Sequence, residues 1–434
     1  MTADVVDLCA QLIRIDTTNH GAGDARGERE AAEFCGTTLA DAGLQPTILE
    51  SAPRRANVVT RVPGDNPDLP PLLIQGHLDV VPADAGEWTV DPFSGTVADG
   101  YVWGRGAVDM KDFCATVLAA VHSLATTGRR PRRDIVLAFV ADEEDRGEHG
   151  AHWLTTHHPD LFADCAAAIS ESGGYTYHVR ATDGRKIRLY PIGTAERGTA
   201  HLKLTARGRA GHGSRRNDAN AVTRLVTALH ALAAHDWPVV LTPTVEAFLQ
   251  RTGKALGVDI DLHDIDTTLD RLGDAAPLVE STVRNSVTPT VLTAGYKVNV
   301  IPGTAEARVD GRVLPGTEDT LLSQVDALIG PDVEREFLSR SLPVQAPVDS
   351  PWFDAMSNAL HSQDPDAVVV PYCLGGGTDA KAFSQLGIDC YGFAPLWLPE
   401  GFDYRAMAHG VDERVPVEGL RFGTRVLEHL LLHA

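Results

Sequence analysis

The chain has 434 residues, a formal net charge of −21 and an ordinary globular composition, with 43% hydrophobic and 22% charged residues. This length predicts two or three domains, and the composition argues against long disordered regions. The negative charge disfavours nucleic acid and anionic membranes as partners, because binding to phosphate groups requires a basic face. It is compatible with a protein that binds cations, although most of the carboxylates are expected on the solvated surface.

The sequence indicates a cytoplasmic protein. Its first residues, MTADVVDLCAQLIRID, lack the basic start and the apolar core of a signal peptide, and no stretch is long enough to span a bilayer. The six cysteines are scattered without Cys-x-x-Cys spacing. We therefore expect them to be reduced, buried and hydrophobic in character, with neither disulfides nor a zinc cluster.

The first part of the chain alternates between predicted helices and strands. Apolar residues at helical spacing predict helices at 5–15, 28–42 and 113–120, and apolar runs predict strands at 57–62, 72–74, 134–141 and 166–170. Such alternation predicts the α/β class, with a mostly parallel sheet covered on both faces by helices.

Side chains with metal-binding chemistry follow these strands. His77 and Asp79 come after the strand at 72–74, and residues two apart on an extended chain point to the same side. Asp79 is therefore placed to accept the second ring N–H of a metal-binding His77. Asp109 follows a predicted hairpin at 96–103 and a glycine-rich turn, and it precedes a helix. Functional groups collect at such strand-to-helix junctions in open α/β sheets.

The runs GHLDVVP at His77 and GRGAVDMK at Asp109 resemble the two leading signatures of the M20 metallopeptidase family. Later motifs follow in the expected order, so the resemblance covers nearly the whole chain. It implies a dinuclear zinc amidohydrolase, in a family that includes aminoacylases, acetylornithine and succinyl-diaminopimelate deacylases, and dipeptidases. The implied fold is a mostly parallel-sheet catalytic domain with an inserted, smaller α+β lid.

The resemblance also implies the roles of the acidic and histidine side chains. Asp109 would bridge two metal ions, with His77 and Glu171 completing one site. Glu144 and His409, the latter in HGVDER, would complete the other. Two Zn²⁺ ions are expected, and Co²⁺ or Mn²⁺ could substitute, because mixed nitrogen and oxygen ligands do not select among these metals.

The acidic cluster at 142–144 supplies the expected catalytic base. The resemblance implies that Glu143 is the general base, which takes a proton from water and passes it to the leaving amine. Asp79 would orient His77.

The lid is predicted at residues 198–342, between catalytic segments 1–197 and 343–434. Within it, residues 297–301 and 305–314 are predicted to pair as strands. An acidic segment at 238–284 is longer than a minimal lid requires, and extra helices, a cover over the active site and an oligomerisation device remain open. The protein is expected to be a monomer or a homodimer that associates through the lid.

Several lid and loop residues match family positions that face substrate. His212 in GRAGHGS would stabilise the substrate carbonyl oxygen, and Asn299 and Arg312 would contact substrate. His212 as a plain turn residue and Arg312 as an exposed strand charge remain alternatives. The loop GGGTD is expected to border a substrate carboxylate through Gly376, Gly377 and Thr378.

The predicted reaction is hydrolysis of the amide bond of N-acyl-L-amino acids. In this interpretation Arg312 and the glycine loop hold the carboxylate of the amino acid. The alternative is a dipeptidase or carboxypeptidase that acts on small peptides, which requires a further group to recognise a free α-amine or an upstream peptide. A third hypothesis, a non-catalytic scaffold of the same fold, conflicts with the complete set of ligands and base.

Overall fold

The protein is described here by a computed structural model that covers residues 4–434. Within this range the strands are β1 (Thr47–Ala52), β2 (Arg55–Val62), β3 (Leu72–His77), β4 (Thr96–Ala98), β5 (Tyr101–Trp103), β6 (Ile135–Val140), β7 (Ala167–Ser170), β8 (Tyr177–Arg180), β9 (Lys186–Glu196), β10 (Gly198–Arg207), β11 (Gly211–His212), β12 (Ser286–Ala294), β13 (Val300–Ile301), β14 (Thr304–Val313), β15 (Val333–Ser341), β16 (Val344–Gln345), β17 (Val368–Leu374), β18 (Asp389–Gly392) and β19 (Arg414–Pro416). The helices are α1 (Val5–Arg14), α2 (Arg29–Asp41), α3 (Lys111–Thr126), α4 (Ala151–His157), α5 (Ala221–Ala233), α6 (Pro243–Leu256), α7 (Ile265–Leu272), α8 (Glu318–Ile329), α9 (Pro351–Gln363), α10 (Ala380–Phe383), α11 (Tyr404–Met407) and α12 (Val417–His433).

The largest sheet has ten strands, and its centre is parallel. The strands β6, β3, β7 and β18 lie side by side in parallel, whereas β2 and β1 on one margin and β9 and β16 on the other pair antiparallel. Strands β8 and β17 also pair with β9. This arrangement confirms the predicted α/β class with a mostly parallel central sheet.

The central strands are buried along their whole length. Every residue of β3, β6 and β7 is buried, as expected for strands that are covered on both faces. Helices α1, α3, α9 and α12 pack together over one face, and α4 and α10 pack over the other. Because parallel strands end at the same edge of a sheet, the residues that follow β3, β6 and β7 converge there.

A separate four-stranded antiparallel sheet has the strand order β12, β14, β10, β15, and helices α5 and α8 pack on it. The predicted pairing of residues 297–301 with 305–314 is wrong. Strand β14 instead pairs with β12 and β10, and β13 pairs with β11 in a two-stranded ribbon. The sequence prediction missed β12, in which Pro289 interrupts the run of residues that would otherwise mark a strand.

The acidic segment at 238–284 forms α6, α7 and two short 3₁₀ turns. Its helices pack on β9 and β17 of the large sheet, where Phe248 and Leu249 join Leu189 and Val370 in one core. By its contacts this segment therefore belongs with the large sheet, although the sequence reading placed it in the lid. The reason is that α6 presents a buried apolar face, which the large sheet covers.

Residues 4–434 contain no helix that is both long enough and apolar enough to cross a membrane. All six cysteines are free and buried, as predicted. Cys35 and Cys114, for example, lie in the core between α2, α3 and the large sheet, where they act as small apolar side chains.

Candidate metal centre

Six side chains with metal-binding chemistry meet at the carboxyl edge of the large sheet. His77 ends β3, Glu143 and Glu144 follow β6, and Glu171 follows β7. The loop before α3 contributes Asp109, and the loop after α11 contributes His409. This set is called the metal cluster below, and its members are His77, Asp109, Glu143, Glu144, Glu171 and His409.

Asp109 lies at the centre of the metal cluster. Its Oδ1 is 3.0 Å from Nε2 of His77, and its Oδ2 is 3.1 Å from Nε2 of His409. Removal from solvent alone would raise the pKa of Asp109, but hydrogen bonds from the two histidines outweigh it and hold this pKa below its ordinary value. One carboxylate oxygen thus faces each histidine, which is the geometry of a bridging ligand.

The other carboxylates are crowded. Ligand atoms of His77, Glu143 and Glu171 lie within 4.8 Å of one another, and so do those of His77, Asp109 and Glu144. Burial raises the pKa of Glu143, Glu144 and Glu171, and neighbouring carboxylates raise it further. Like charges enclosed at this separation repel one another unless a cation neutralises them.

Two further observations fit divalent metal ions at this site. His409 Nε2 lies 3.2 Å from Glu144 Oε2, and hydrogen bonds from Asp109 and Glu144 raise the pKa of His409 to about 10. The other oxygen of Glu144, Oε1, is buried and has no hydrogen-bond partner among residues 4–434. Buried carboxylates are expected to be hydrogen-bonded or to bind a cation, so the donor set suits two ions of borderline hardness.

Asp79 does more than the sequence predicted. Nδ1 of His77 is 3.0 Å from the backbone carbonyl oxygen of Asp79 and 3.6 Å from its carboxylate, so the carbonyl is the closer acceptor. The carboxylate instead accepts the backbone N–H groups of Glu143, at 3.1 Å, and Glu144, at 3.2 Å, and the amide of Asn19 at 2.9 Å. Asp79 therefore fixes His77 through its backbone and the two glutamates through its side chain.

A second buried carboxylate supports the Asp109 loop, and the sequence reading missed it. Glu413 accepts hydrogen bonds from the Arg105 guanidinium at 2.6 Å and from the backbone N–H groups of Gly106 at 3.1 Å and Val108 at 2.7 Å. Arg105 also donates to the carbonyl oxygen of His409 at 3.3 Å. This Arg105–Glu413 clamp ties the loops of Asp109 and His409 together. The sequence signal for this clamp was Glu413, the acidic residue four positions after His409 in the motif HGVDER.

The turn that carries Glu143 is held by a third buried group. Asp142 adopts a left-handed backbone with φ of 71°, and its carboxylate accepts hydrogen bonds from Arg55 at 2.6 Å and Asn19 at 3.1 Å. Arg55 in turn donates two hydrogen bonds of 3.0 Å to Glu28. This network links the amino-terminal loop to the metal cluster, and no local sequence pattern indicates it.

His212 and Asn299 lie together on the β11–β13 ribbon. His212 is exposed, and its Nδ1 is 2.8 Å from the hydroxyl of Ser214, while Gly213 donates to the carbonyl oxygen of Asn299 at 2.9 Å. The hydrogen-bond partners of the His212 ring therefore belong to its own ribbon and not to the metal cluster.

Arg312 lies on β14 and makes two hydrogen bonds to Asp310, at 2.8 and 3.1 Å. It is one of three cations where the small sheet meets the glycine loop, with Arg197 and Lys381. We call these three the cation cluster. Burial lowers the pKa of Arg197 and of Lys381, and the charge of Arg312 lowers both further. Arg197 is buried and Lys381 is half-buried, whereas Arg312 is partly exposed and paired with Asp310. Together they make this junction positively charged, which favours an anion.

Arg197 and Lys381 were missed by the sequence reading. Arg197 donates to the carbonyl oxygen of Gly375 at 3.1 Å, and Lys381 donates to the hydroxyl of Ser341 at 3.0 Å. The signal for Arg197 was the charged pair that interrupts two apolar strands at the junction of β9 and β10, where the arginine is buried. The charge of Glu143 raises the pKa of Lys381 against the lowering effects of burial and Arg312, so the side chains of Glu143 and Lys381 are within range of electrostatic interaction.

The glycine loop contacts the rest of the protein differently from the prediction. Thr378 donates both its backbone N–H, at 3.0 Å, and its hydroxyl, at 2.6 Å, to the buried Glu196. These groups are therefore occupied within the protein. Gly376 has open space around it, whereas a side chain at Gly377 would collide with Lys381. The helix that follows, α10, has only four residues, so the predicted anion site at its amino end is not supported.

A mixed α/β fold with clustered carboxylate and histidine ligands at the carboxyl edge of its parallel strands defines a metal-dependent hydrolase. The sequence profile of peptidase family M20/M25/M40 matches residues 73–433. The chain belongs to this family, as its motifs predicted.

Among curated relatives, human aminoacylase-1 is 29% identical over 98% of this chain and 95% of its own length. The human N-fatty-acyl-amino acid synthase/hydrolase PM20D1 is 27% identical, over 92% of this chain and 83% of its own length. Among solved structures, the M20 family metallo-carboxypeptidase Sso-CP2 from Sulfolobus solfataricus superposes with a TM-score of 0.70 at 18% identity, covering 99% of this chain and 98% of that one. The last comparison supports the fold.

Proposed function

We propose that this M20 hydrolase cleaves the amide bond of N-acyl-L-amino acids at a dinuclear zinc centre. The observation that carries the proposal is the cation cluster beside Glu143, which provides a site for the carboxylate of the amino acid half. Two relatives support this proposal by their names, aminoacylase-1 and the N-fatty-acyl-amino acid synthase/hydrolase PM20D1.

The metal cluster supplies the ligands. Asp109 would be shared between two ions, His77 and Glu171 would hold one of them, and Glu144 and His409 would hold the other. When bound, such ions polarise an amide carbonyl and lower the pKa of water. Zinc suits the donors, and cobalt or manganese are alternatives.

Glu143 is proposed as the general base. It lies in the same cluster of ligand atoms as His77 and Glu171, and its backbone is fixed by Asp79. Glu143 accepts one proton from the attacking water and returns it to the nitrogen of the leaving amine, so the C–N bond breaks without a net change in the base. His212 is proposed to stabilise the carbonyl oxygen, from this ribbon or from that of a second copy.

The substrate carboxylate is assigned to the cation cluster. Arg312 can exchange its Asp310 partner for a carboxylate in the same two-pronged geometry. Arg197 and Lys381 add charge from the opposite side of the junction, and the open space at Gly376 admits the ligand. Asn299, Gly377 and Thr378 remain proposed neighbours of the substrate.

Asp379 favours a second candidate, a dipeptidase or carboxypeptidase that acts on small peptides. This residue is buried, and its Oδ2 has no hydrogen-bond partner among residues 4–434. Burial raises its pKa to about 8. A carboxyl group so close to the metal cluster is the feature that recognition of a free α-amine requires, and the sequence reading had found none.

Amino acid release from two matched substrate sets tests the proposal. The zinc-loaded protein is given N-acetyl to N-lauroyl amino acids in one set and unblocked dipeptides in the other. We expect the N-acyl set to be cleaved much faster by kcat/KM. Preference for dipeptides, lost selectively in Asp379→Asn, would establish the second candidate instead. A protein that binds no metal and cleaves neither set would support the scaffold hypothesis.

The small sheet is proposed to form the lid domain within residues 198–342, and a homodimer through this lid is proposed over a monomer. Exposed apolar residues on β12 and the loop after it, Val291, Leu292, Tyr296 and Val298, support this choice. Light scattering that gives the mass of one chain at micromolar concentration would contradict the homodimer.

The six buried free cysteines fit the proposed cytoplasmic location.

A further inference from the structure

A cavity of about 630 Å³ lies on the loops that follow Glu171 and precede His409. This volume is in the range of pockets that bind small organic ligands. Its walls come from the segment that follows β7, from the loop that leads into α11 and from the 3₁₀ turn Gly273–Leu278. The apolar side chains among its walls are Tyr175, Tyr177, Pro277, Phe402 and Tyr404, and we call it the aromatic cavity.

The aromatic cavity shares its inner wall with the metal cluster. The hydroxyl of Tyr404 donates to the carbonyl oxygen of Val108, next to Asp109, at 3.3 Å. The rings of Tyr404 and Tyr175 stack with their centroids 4.4 Å apart. Tyr175 is four residues beyond Glu171, and Tyr404 is five residues before His409. The cavity is therefore built on the same two loops that carry two of the proposed ligands.

The polar groups of the cavity walls already have partners within the protein. The hydroxyl of Thr176 donates to Leu396, and His178 hydrogen-bonds to the carbonyl oxygen of Leu398, at 3.2 and 2.9 Å. The carboxylate of Asp403 accepts the N–H of Ala406 at 3.1 Å. The cavity therefore offers a ligand ring faces and aliphatic surface, interspersed with the exposed charged side chains of Asp403 and Arg405.

The acidic segment closes the outer wall. Arg405 donates to the carbonyl oxygen of Pro277 at 2.8 Å, and the hydroxyl of Tyr177 donates to the carbonyl oxygen of Asp274 at 3.0 Å. These two bonds attach the 3₁₀ turn to the loops of the metal cluster. The segment that the sequence left without a role thus becomes one side of a pocket.

We propose that the aromatic cavity binds the apolar chain of the acyl group, which rests on the proposed N-acyl amino acid activity. Glu143 returns its proton to the leaving amine, so the amino acid half lies on the side of Glu143 and the cation cluster. The acyl half extends from the same carbonyl carbon in the other direction, along the Glu171 and Tyr404 side. Because Arg405 and Pro277 close the outer wall, residues 273–278 determine the length of the acyl chain that the cavity accepts.

The test is a chain-length profile of kcat/KM on N-acetyl-, N-hexanoyl- and N-decanoyl-leucine. Each methylene that enters the cavity is expected to increase kcat/KM by about fourfold until the cavity is full. Ala406→Phe places a ring in the cavity from an exposed helical position. It should lower the ratio of decanoyl to acetyl kcat/KM at least tenfold, mainly through KM. Ala233→Phe, on the exposed side of α5, is the matched control and should leave that ratio unchanged.

Arg405→Ala gives a second, independent readout, because it detaches the wall without filling the cavity. It should also lower the decanoyl to acetyl ratio, by a smaller factor than Ala406→Phe. If the wild type and both variants cleave the N-acyl substrates with the same ratio of decanoyl to acetyl kcat/KM, the assignment of the cavity is overturned and the proposed activity stands. A wild-type enzyme that cleaves only dipeptides would overturn both.

Discussion

The carboxyl edge of the large sheet and the junction end of the small sheet carry two different kinds of site. At the large sheet, His77 is almost fully buried, and buried carboxylates hold the loop of Asp109 and the turn of Glu143 and Glu144. At the small sheet, His212 is exposed, and Arg312 is paired with a neighbour on its own strand. Ligands for metal ions are thus fixed in advance, whereas candidate substrate contacts are satisfied locally and must exchange partners when substrate binds.

This difference separates what each region contributes to turnover. Side chains fixed at the metal cluster should govern the chemical step and the stability of the fold. Side chains of the cation cluster should govern substrate affinity, because they make interactions that substrate replaces. Substitutions in the two regions are therefore expected to act on kcat and KM respectively.

The largest expected effect is at Glu143. Glu143→Gln removes the proposed base while keeping the size of the side chain, so kcat should fall by about 100- to 10,000-fold. Metal content, measured by atomic emission, should stay within a few tenths of an ion of the wild type. Glu148→Gln, at an exposed acid of the same loop, is the control and should retain full activity. Near-normal kcat in Glu143→Gln would remove this residue from the mechanism.

The next effect is at the Arg105–Glu413 clamp. Glu413→Gln leaves the buried Arg105 without its charge partner, and breaking such a pair costs about 3 to 5 kcal/mol of folding free energy. Chemical denaturation of the protein, after metal is removed with a chelator, measures this change in folding free energy.

Glu418→Gln is the matched control for the clamp, because its ion pair with Arg421 is exposed. It should change the folding free energy by less than about 1 kcal/mol. Equal effects of the two substitutions would show that the clamp does not fix the Asp109 and His409 loops.

A smaller effect, confined to substrate binding, is expected at Arg312. Arg312→Ala should raise KM for N-acyl amino acids by about tenfold or more, since a charged hydrogen bond contributes roughly 1.5 to 3 kcal/mol, while kcat changes little. Arg340→Ala removes a similar two-pronged pair, with Glu318, from the same sheet and should leave KM unchanged. A loss in kcat alone would place Arg312 with the metal cluster instead.

The sequence predicted the large sheet and the metal cluster better than the small sheet. Long apolar runs such as β3 and β6 determine a buried strand by themselves, and His77 and Glu144 follow directly from their ends. The position of α6 depends on which sheet covers its apolar face, and that is a tertiary contact without a local signal. The same holds for Arg55 and Arg105, whose partners are distant in the sequence.

The smallest effect concerns a peripheral pair on the large sheet. Arg188 donates to Asp364 at 2.6 and 2.7 Å, and these hydrogen bonds hold the pKa of Asp364 below its ordinary value. A lowered folded-state pKa stabilises the protein above the unfolded-state pKa, near 3.9, and this contribution is lost as the pH falls through the folded-state value.

Asp364→Asn should therefore destabilise the protein by about 1 kcal/mol at neutral pH, because one hydrogen bond to a charged group is weakened. The difference from the wild type should begin to shrink below about pH 4, where the carboxylate of the unfolded state becomes protonated, and should vanish once the folded-state carboxylate is protonated as well. Thermal denaturation at several pH values measures both. A difference that grows as the pH falls would contradict the assigned sign.

The metal stoichiometry of the purified, zinc-loaded chain tests the central claim most directly. Two ions per chain are expected, with one lost on replacement of His409 and amino acid release abolished by chelation and restored by zinc. A wild-type chain that hydrolyses its substrate while holding no more than one ion would contradict the bridging role of Asp109 and the dinuclear centre with it.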